Sequence, residues 1–411
     1  MLACLDDLRD RARSHLPRFV FDYLEGGAED ESSLRRNLQA LEHTLLLPRA
    51  LRDTGRVESA IEVFGERWAR PYAVAPTGFN ALYRPGGDAM LARAAGRAGV
   101  PFCLSTASNM RLEAVREQAD AVLWLQLYVM SDRGIAEHML ARARAAGYKV
   151  LALTVDVAVS GRRPRDLRNG FRVPFKPSLR LAADLCGHPA WSLRQLFAPM
   201  PDFANLAAEQ GTQLSAQAQA ALLARAMDRS LAWQDFAWLR RHWEGPLVVK
   251  GLLHPEDARQ AVEAGADGVI VSNHGGRQLA AAPAAISQLP AVLDAVAARV
   301  PVFVDGGFRS GADIAKALAL GATAVFLGRP FLYGLAAAGE AGVDAVFDFL
   351  AEDLERAMIL CGARSPAELR GLAGLPPAST GFPGAPAAAS VPAALPPAAT
   401  QPLLRERIRS A

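Results

Sequence analysis

From residue 71 onward the chain repeats one pattern: a short apolar run, a polar or glycine-bearing turn, then an Ala/Arg/Glu-rich helical stretch. The runs are Tyr72–Pro76, Pro101–Ser105, Val122–Gln126, Val150–Thr154, Leu247–Lys250, Val269–Ser272, Val302–Asp305 and Ala324–Gly328. Each has the length and the β-branched or aliphatic content of a buried strand. Strand-then-helix repeats build parallel sheets, and eight of them are the number that closes a (β/α)8 TIM barrel. In such a barrel every polar run end falls at the C-terminal mouth. An open doubly wound sheet would carry a G-x-G-x-x-G turn after its first strand, and none follows here.

Successive runs are spaced by about the size of one βα unit, except between the fourth and fifth. That gap predicts an insertion over about 175–216, with Trp191, Leu193, Leu196, Phe197, Met200 and Phe203 among Lys176, Arg180 and Arg194. The insertion reads as a lid or subunit contact, or as a segment that docks on a membrane surface with aromatic and aliphatic side chains beside basic ones. Ahead of the barrel, residues 5–40 carry helical spacings interrupted at Gly26-Gly27, and Tyr23 sits in a stretch polar enough for a rim. The barrel unit is therefore 1–373. Residues 374–411 turn to Pro, Ala, Gly and Ser, the composition of a disordered tail.

Charge excludes one class of partner. Lys+Arg of 45 against Asp+Glu of 42 leaves a net +3 without a block of like charge, so nucleic acid is not expected. Cys4, Cys103, Cys186 and Cys361 lie far apart, show no zinc spacing, and read as reduced thiols of a cytoplasmic protein. No metal site is expected. The first residues acquire two acids too early for a signal peptide, and no uncharged stretch reaches the length of a membrane span.

The chemistry-bearing residues fall at the run ends. Asp305-Gly306-Gly307-Phe308-Arg309 and Gly328-Arg329 put glycines, arginines and helix starts at the seventh and eighth strands, where barrels commonly hold a phosphate. Pro76, Thr77, Gly78, Ser105, Gln126, Thr154, Lys250 and Ser272 are neutral donors and acceptors plus one cation, a set that fits a flavin. A lysine at an apolar strand end otherwise requires a carboxylate partner. The segment Ser272-Asn-His274-Gly-Gly-Arg277-Gln278 ends a strand with an imidazole and a guanidinium, suited to deprotonating a small organic acid. Tyr128, Asp156 and one of the arginines in Gly161-Arg162-Arg163-Pro164-Arg165 complete a second polar set, in which Asp156 would orient His274. The residues alone leave the choice among those arginines open.

Taken together, Phe21-Asp-Tyr-Leu-Glu-Gly-Gly, Gln126-Leu-Tyr-Val, Thr154-Val-Asp156, Lys250-Gly251, Ser272-Asn-His-Gly-Gly-Arg-Gln, Asp305-Gly-Gly-Phe-Arg and Gly328-Arg329 resemble the FMN-dependent α-hydroxy acid dehydrogenases and oxidases. The resemblance spans about residues 5–370. Within that family, Pro76-Thr-Gly-Phe-Asn80, Leu104-Ser-Thr-Ala-Ser-Asn-Met110 and Cys186-Gly-His-Pro-Ala-Trp-Ser-Leu193 are most similar to the (S)-mandelate dehydrogenase branch. The resemblance implies an FMN cofactor, His274 as base supported by Asp156, and Arg163 and Arg277 on the substrate carboxylate. Tyr23 and Tyr128 would meet the substrate carboxylate and hydroxyl, Lys250 would face the flavin N1 side, and residues 305–309 with 328–329 would hold ribityl and phosphate. It further implies oxidation of an (S)-2-hydroxy acid with electrons passed to a quinone or other membrane acceptor, a homotetramer, and a cytoplasmic location, peripheral on the inner face of the membrane if the insertion docks there. An oxidase that makes hydrogen peroxide is the alternative. Ala107 and Ser160 replace a tryptophan and a leucine of glycolate oxidase, which implies a pocket wide enough for an aryl side chain. Gly78 stands where oxidases tend to carry alanine, which implies slow reaction with oxygen.

Overall fold

A computed structural model of the chain describes residues 2–171, 178–198, 203–207 and 227–374. Of the tail 374–411 only Gly374 is among the described residues; Lys176, Met200 and most of the second half of the insertion also lie outside them. The eight predicted runs form the closed parallel barrel β1 (Tyr72–Val74), β2 (Phe102–Ser105), β3 (Leu123–Leu127), β4 (Val150–Thr154), β5 (Leu247–Leu252), β6 (Gly268–Val271), β7 (Val302–Asp305) and β8 (Ala324–Leu327). They pair in chain order, and β8 closes on β1 through Val325↔Tyr72.

The two-residue period of a strand explains how this barrel makes a site. Inward-facing Cys103, Trp124, Ala152, Val248, Ile270, Phe303 and Phe326 belong to one buried cluster in the barrel interior. Two residues further along each strand stand Ser105, Gln126, Thr154, Lys250, Ser272, Asp305 and Gly328. The core layer and the polar layer are thus consecutive rungs of one ladder. Below them a hairpin, Ile61–Val63 with Glu66–Trp68, closes the opposite end. Its Trp68 stacks on Phe303 at 6.1 Å and meets Trp124 edge-on at 5.7 Å.

The N-terminal segment is three helices rather than a run broken once. They are α1 (Leu5–His15), α2 (Arg18–Glu25) and α3 (Ser32–His43). Pro17 caps α2 and has no N–H to continue α1, while Glu29 and Glu31 take left-handed backbone in the second break. Within the insertion, α4 (Leu179–Gly187) and α5 (Pro189–Leu196) are described. Trp191 turns inward, donating to the Leu82 carbonyl at 2.7 Å and packing edge-on against Phe19. Leu179, Leu193, Leu196 and Phe197 turn outward and are exposed. Among the described residues no helix is long and apolar enough to cross a membrane.

Candidate active site

The polar layer opens into a cavity of about 460 Å³ at the C-terminal mouth. Of the residues singled out in the sequence, Tyr23, Pro76, Thr77, Gly78, Ser105, Gln126, Tyr128, Thr154, Arg163, Lys250, His274, Arg277, Asp305, Gly306, Gly307, Arg309, Gly328 and Arg329 line it. Asp156 and Ser272 stand one contact behind, each bonded to a lining residue. Arg163 faces the cavity and Arg162 is exposed, which distinguishes the neighbouring arginines by position.

His274 is held in a conformation its residue type disfavours. Its φ of 57° is left-handed, and Gly275 and Gly276 follow at 62° and 77°. A non-glycine residue there costs about 1–2 kcal/mol, a strain that persists only where the surroundings impose it. Those surroundings are a buried amide network. Asn273 Nδ2 donates to Asn37 Oδ1 at 2.8 Å, Ser33 Oγ at 3.1 Å and the Pro283 carbonyl at 2.9 Å, while its Oδ1 accepts from Asn37 at 2.9 Å and from Gly276 N at 3.2 Å. The network bolts the loop to α3. A Cβ on Gly276 would lie 2.7 Å from the Leu34 nitrogen, so glycine is required by both packing and dihedral. Asn37 and Ser33 have no local signal of this role, since they lie more than 230 positions before Asn273.

The imidazole Nδ1 lies 3.0 Å from Asp156 Oδ1. That contact leaves Nε2 to act toward the cavity, because a carboxylate on one ring nitrogen selects the tautomer at the other. Gln278 holds the dyad's strand end by donating to the Asp156 and Val159 carbonyls at 3.1 and 2.9 Å. Burial works to raise the Asp156 carboxyl, but the charge and hydrogen bond of His274, with Lys250 beyond, outweigh it and leave it below the ordinary 3.8. A depressed carboxylate contributes stability that is present above the unfolded value and lost as pH falls through the folded one. Denaturant midpoints measured from pH 5 down to pH 2 are therefore expected to fall less steeply below about pH 4 in Asp156→Asn than in the parent.

Arg277 Nη1 donates to the carbonyls of Tyr23 (2.8 Å) and Gly26 (2.7 Å), and Arg329 donates to those of Leu24, Gly26 and Gly275, each at 3.1 Å. Two guanidiniums thus satisfy the carbonyls that the end of α2 leaves open. They fix Tyr23 over the cavity, where Arg277 and Arg163 sit 5.0 and 5.9 Å from its ring centre. Burial and then the nearby Arg277 depress Arg163. Burial, followed by Arg277 and Arg309, brings Arg329 down to about 10. Desolvated like charges at this spacing are relieved by an anion, one near Arg163 and Arg277 and another near Arg309 and Arg329.

Lys250 has the carboxylate that a buried lysine demands. Its Nζ lies 2.7 Å from Asp305 Oδ2 and 2.8 Å from Ser272 Oγ, and Ser272 Oγ in turn accepts from the His274 nitrogen at 2.9 Å. Burial alone would lower this ammonium; Asp305 and Asp156 reverse the sign and hold it above its ordinary value. The expectation of Lys250 and Asp305 as separate cofactor contacts thus gains a link between them.

FMN fits the residues present. Gln126 Nε2, Thr154 Oγ1 and Asp305 Oδ1 are buried without a hydrogen-bond partner, a costly state for three residues of one cavity lining unless a bound polar group satisfies them. Gly306 and Gly307 take φ of 94° and 96°, and helices begin at Gly311 and Arg329 beside them, which provides the N–H-rich cradle of a phosphate site.

The sequence reading missed the apolar wall. Phe171 stacks on Tyr23 at 4.4 Å with an interplanar angle of 3°, and Phe79 meets Phe203 at 4.8 Å. All three phenylalanines line the cavity with Ala107, Val157, Ser160 and Met227. They come from three distant segments, and an isolated phenylalanine in sequence reads as core. Gly170, at φ 65°, turns the chain that presents Phe171, while Asn169 is tied to Asp22 at 2.7 Å.

Known proteins share this chain's sequence and fold. A family model described as FMN-dependent dehydrogenase matches residues 12–373. The (S)-mandelate dehydrogenase of Pseudomonas putida is 48% identical over 359 residues, covering 87% of this chain and 90% of that protein. An L-lactate dehydrogenase of Xanthomonas campestris pv. campestris (strain B100) is 43% identical over 90% of this chain and 96% of its own. Among solved structures, a monotopic membrane protein, (S)-mandelate dehydrogenase, superposes with a TM-score of 0.88 at 45% identity, covering 91% of this chain and 100% of that one. A mandelate oxidase with (S)-4-hydroxymandelic acid gives 0.78 at 40% identity over 90% and 98%. A family match that runs from residue 12 to 373, together with 48% identity across 87% of the chain, shows that the chain belongs to the FMN-dependent dehydrogenase family of hydroxy acid oxidoreductases.

Proposed function

We propose that the protein oxidises an (S)-2-hydroxy acid with an aryl side chain, mandelate or a close analogue, to the 2-oxo acid. The observation that carries this is the His274–Asp156 contact of 3.0 Å in a cavity that also holds Arg163, Arg277 and an aromatic wall. Bound FMN supplies the acceptor for the two electrons that leave the substrate. Arg163 and Arg277 grip the substrate carboxylate and orient the α-carbon. Tyr23 adds its hydroxyl at the carboxylate, and Tyr128 meets the substrate hydroxyl. His274 takes a proton at Nε2, and the imidazolium that results is stabilised by Asp156 on the other nitrogen. Pro76 to Gly78, Ser105, Gln126, Thr154, Lys250 and Ser272 hold the ring system, while Asp305 to Arg309 with Gly328 and Arg329 hold ribityl and phosphate. The small Ala107 and Ser160 leave room for an aryl ring beside Phe171 and Phe203.

Anaerobic titration of the yellow holoprotein tests cofactor, reaction and substrate together. Bleaching by (S)-mandelate at lower concentration than by (S)-lactate or glycolate is the expected result; failure of all three to bleach it rejects the reading. Phe171→Ala should raise KM about tenfold for mandelate and less for lactate, since an aryl contact is worth about 1 kcal/mol beyond the area it buries.

Electrons pass to a quinone or other membrane acceptor in this reading, with the homotetramer resting peripherally on the inner face of the membrane. Support comes from the outward-facing Leu179, Leu193, Leu196 and Phe197 and from the similarity to a monotopic membrane protein. Dye reduction outpacing oxygen consumption is expected; rapid turnover on oxygen alone would favour an oxidase.

A further inference from the structure

A second cavity, of about 370 Å³, lies beside the first. It is walled by residues following β3 and β4, by the end of β5, and by α6 (Trp233–His242). Tyr128, Thr154, Val157 and Met227 line both cavities, so the two chambers share a partition. The rest of its lining differs in kind from the substrate chamber. Leu231, Trp233, Phe236, Trp238 and Leu239 face it, with Trp233 and Phe236 ring centres 6.4 Å apart.

The charges around it are partly paired. Asp228 and Asp235 pair with Arg133 at 2.6 and 3.4 Å, and the same guanidinium sits 5.0 Å from the Trp238 ring centre. Trp238 Nε1 is held by Glu137 at 2.8 Å. Asp257 and Arg229 add one charge of each sign to the lining. The chamber therefore offers aromatic faces and, with three carboxylates against two guanidiniums, no excess of positive charge that would draw in a carboxylate. Its volume lies within the range of small-molecule sites, and an apolar wall with few polar groups is their usual composition.

We propose that this second chamber admits the electron acceptor, an uncharged planar ring of the quinone class. The inference rests on the hydroxy acid reading above. That reaction has two halves, and the substrate chamber suits only the first, since its desolvated guanidiniums favour a carboxylate over an uncharged ring. The aromatic chamber across the partition suits the second, because a planar ring stacks on tryptophan and phenylalanine faces. The balance closes without a further reactant: the two electrons and two protons lost by the hydroxy acid convert the quinone to its quinol, with the flavin carrying the electrons between them. Separate chambers also predict that the 2-oxo acid product competes with the hydroxy acid and not with the quinone.

Two variants of the FMN-loaded full chain test this by anaerobic stopped flow with a short-chain ubiquinone analogue. Leu231→Trp fills the chamber and Trp233→Ala removes a stacking face; neither residue lines the substrate cavity. Reoxidation by the quinone should slow at least about tenfold in both, while bleaching by (S)-mandelate stays within about twofold of the parent. Reoxidation at the parent rate in both variants, or competition between the 2-oxo acid and the quinone, overturns the proposal. Repeating reoxidation on protein reduced chemically with dithionite keeps the test independent of the substrate: a protein that no hydroxy acid bleaches rejects the proposed reaction, while the two variants still decide the acceptor site.

Discussion

His274→Gln is expected to lower kcat by about 10²–10⁴-fold, the range that a positioned general base supplies, while leaving the protein yellow and KM within a few-fold of the parent. Glutamine is close to histidine in reach and keeps a polar group toward Asp156, so packing against the loop is retained. It cannot accept and hold a proton near neutral pH, which is the property removed. Substrate binding is expected to persist because the proposed carboxylate contacts are those of Arg163 and Arg277. Arg277 is anchored independently, through the carbonyls of Tyr23 and Gly26. Backbone strain does not confuse the comparison, since both residue types carry a Cβ and meet the same cost at the left-handed φ of 57°. Steady-state turnover with an artificial dye, together with the flavin absorbance of the purified variant, measures both quantities. A kcat within about threefold of the parent would remove His274 from the role of base.

The second large effect concerns stability. Lys250→Met leaves the Asp305 carboxylate without its cation at a position only 6% exposed. Removing one partner of a buried pair costs about 3–5 kcal/mol, because the remaining charge stays desolvated without compensation. The loss should appear as a shift in urea midpoint at unchanged slope. The double variant Lys250→Met/Asp305→Asn removes both charges and should recover part of it, since the two residues touch and their effects do not add. Ser272 makes the local cost larger: its hydroxyl accepts from both Lys250 and the His274 nitrogen, so losing the lysine is expected to loosen the His274 loop as well. A single-variant loss below about 1 kcal/mol would show that the pair is solvated in a way its burial does not suggest.

These two residues illustrate what could be read along the chain and what could not. Lys250 at the end of an apolar run was conspicuous, as was the histidine after Val269–Ser272, because each breaks a local pattern. The same patterns determined the barrel: eight strand-length runs with helical stretches between them, each ending in polar or glycine residues that the strand period places one rung above the core. Fold, cofactor class and most of the residues around the cavity follow from that periodicity and from motifs only a few residues long.

Tertiary structure alone decided which ends meet. Closure of the barrel brings Asp305 on β7 to Lys250 on β5 and Asp156 after β4 to His274 after β6, pairings that depend on register across many tens of residues. It likewise selected Arg163 over Arg162, bolted Asn273 to Asn37, and assembled one aromatic wall from Phe79, Phe171 and Phe203. The acceptor chamber behind Tyr128 and Thr154 has no sequence signature, because Trp233, Phe236 and Leu239 on a helix read as ordinary core spacing. Local periodicity dictates which face of an element is buried. Which buried faces touch is decided by long-range packing, and only that contact turns a lysine and an aspartate into an ion pair, or a row of apolar side chains into a binding wall.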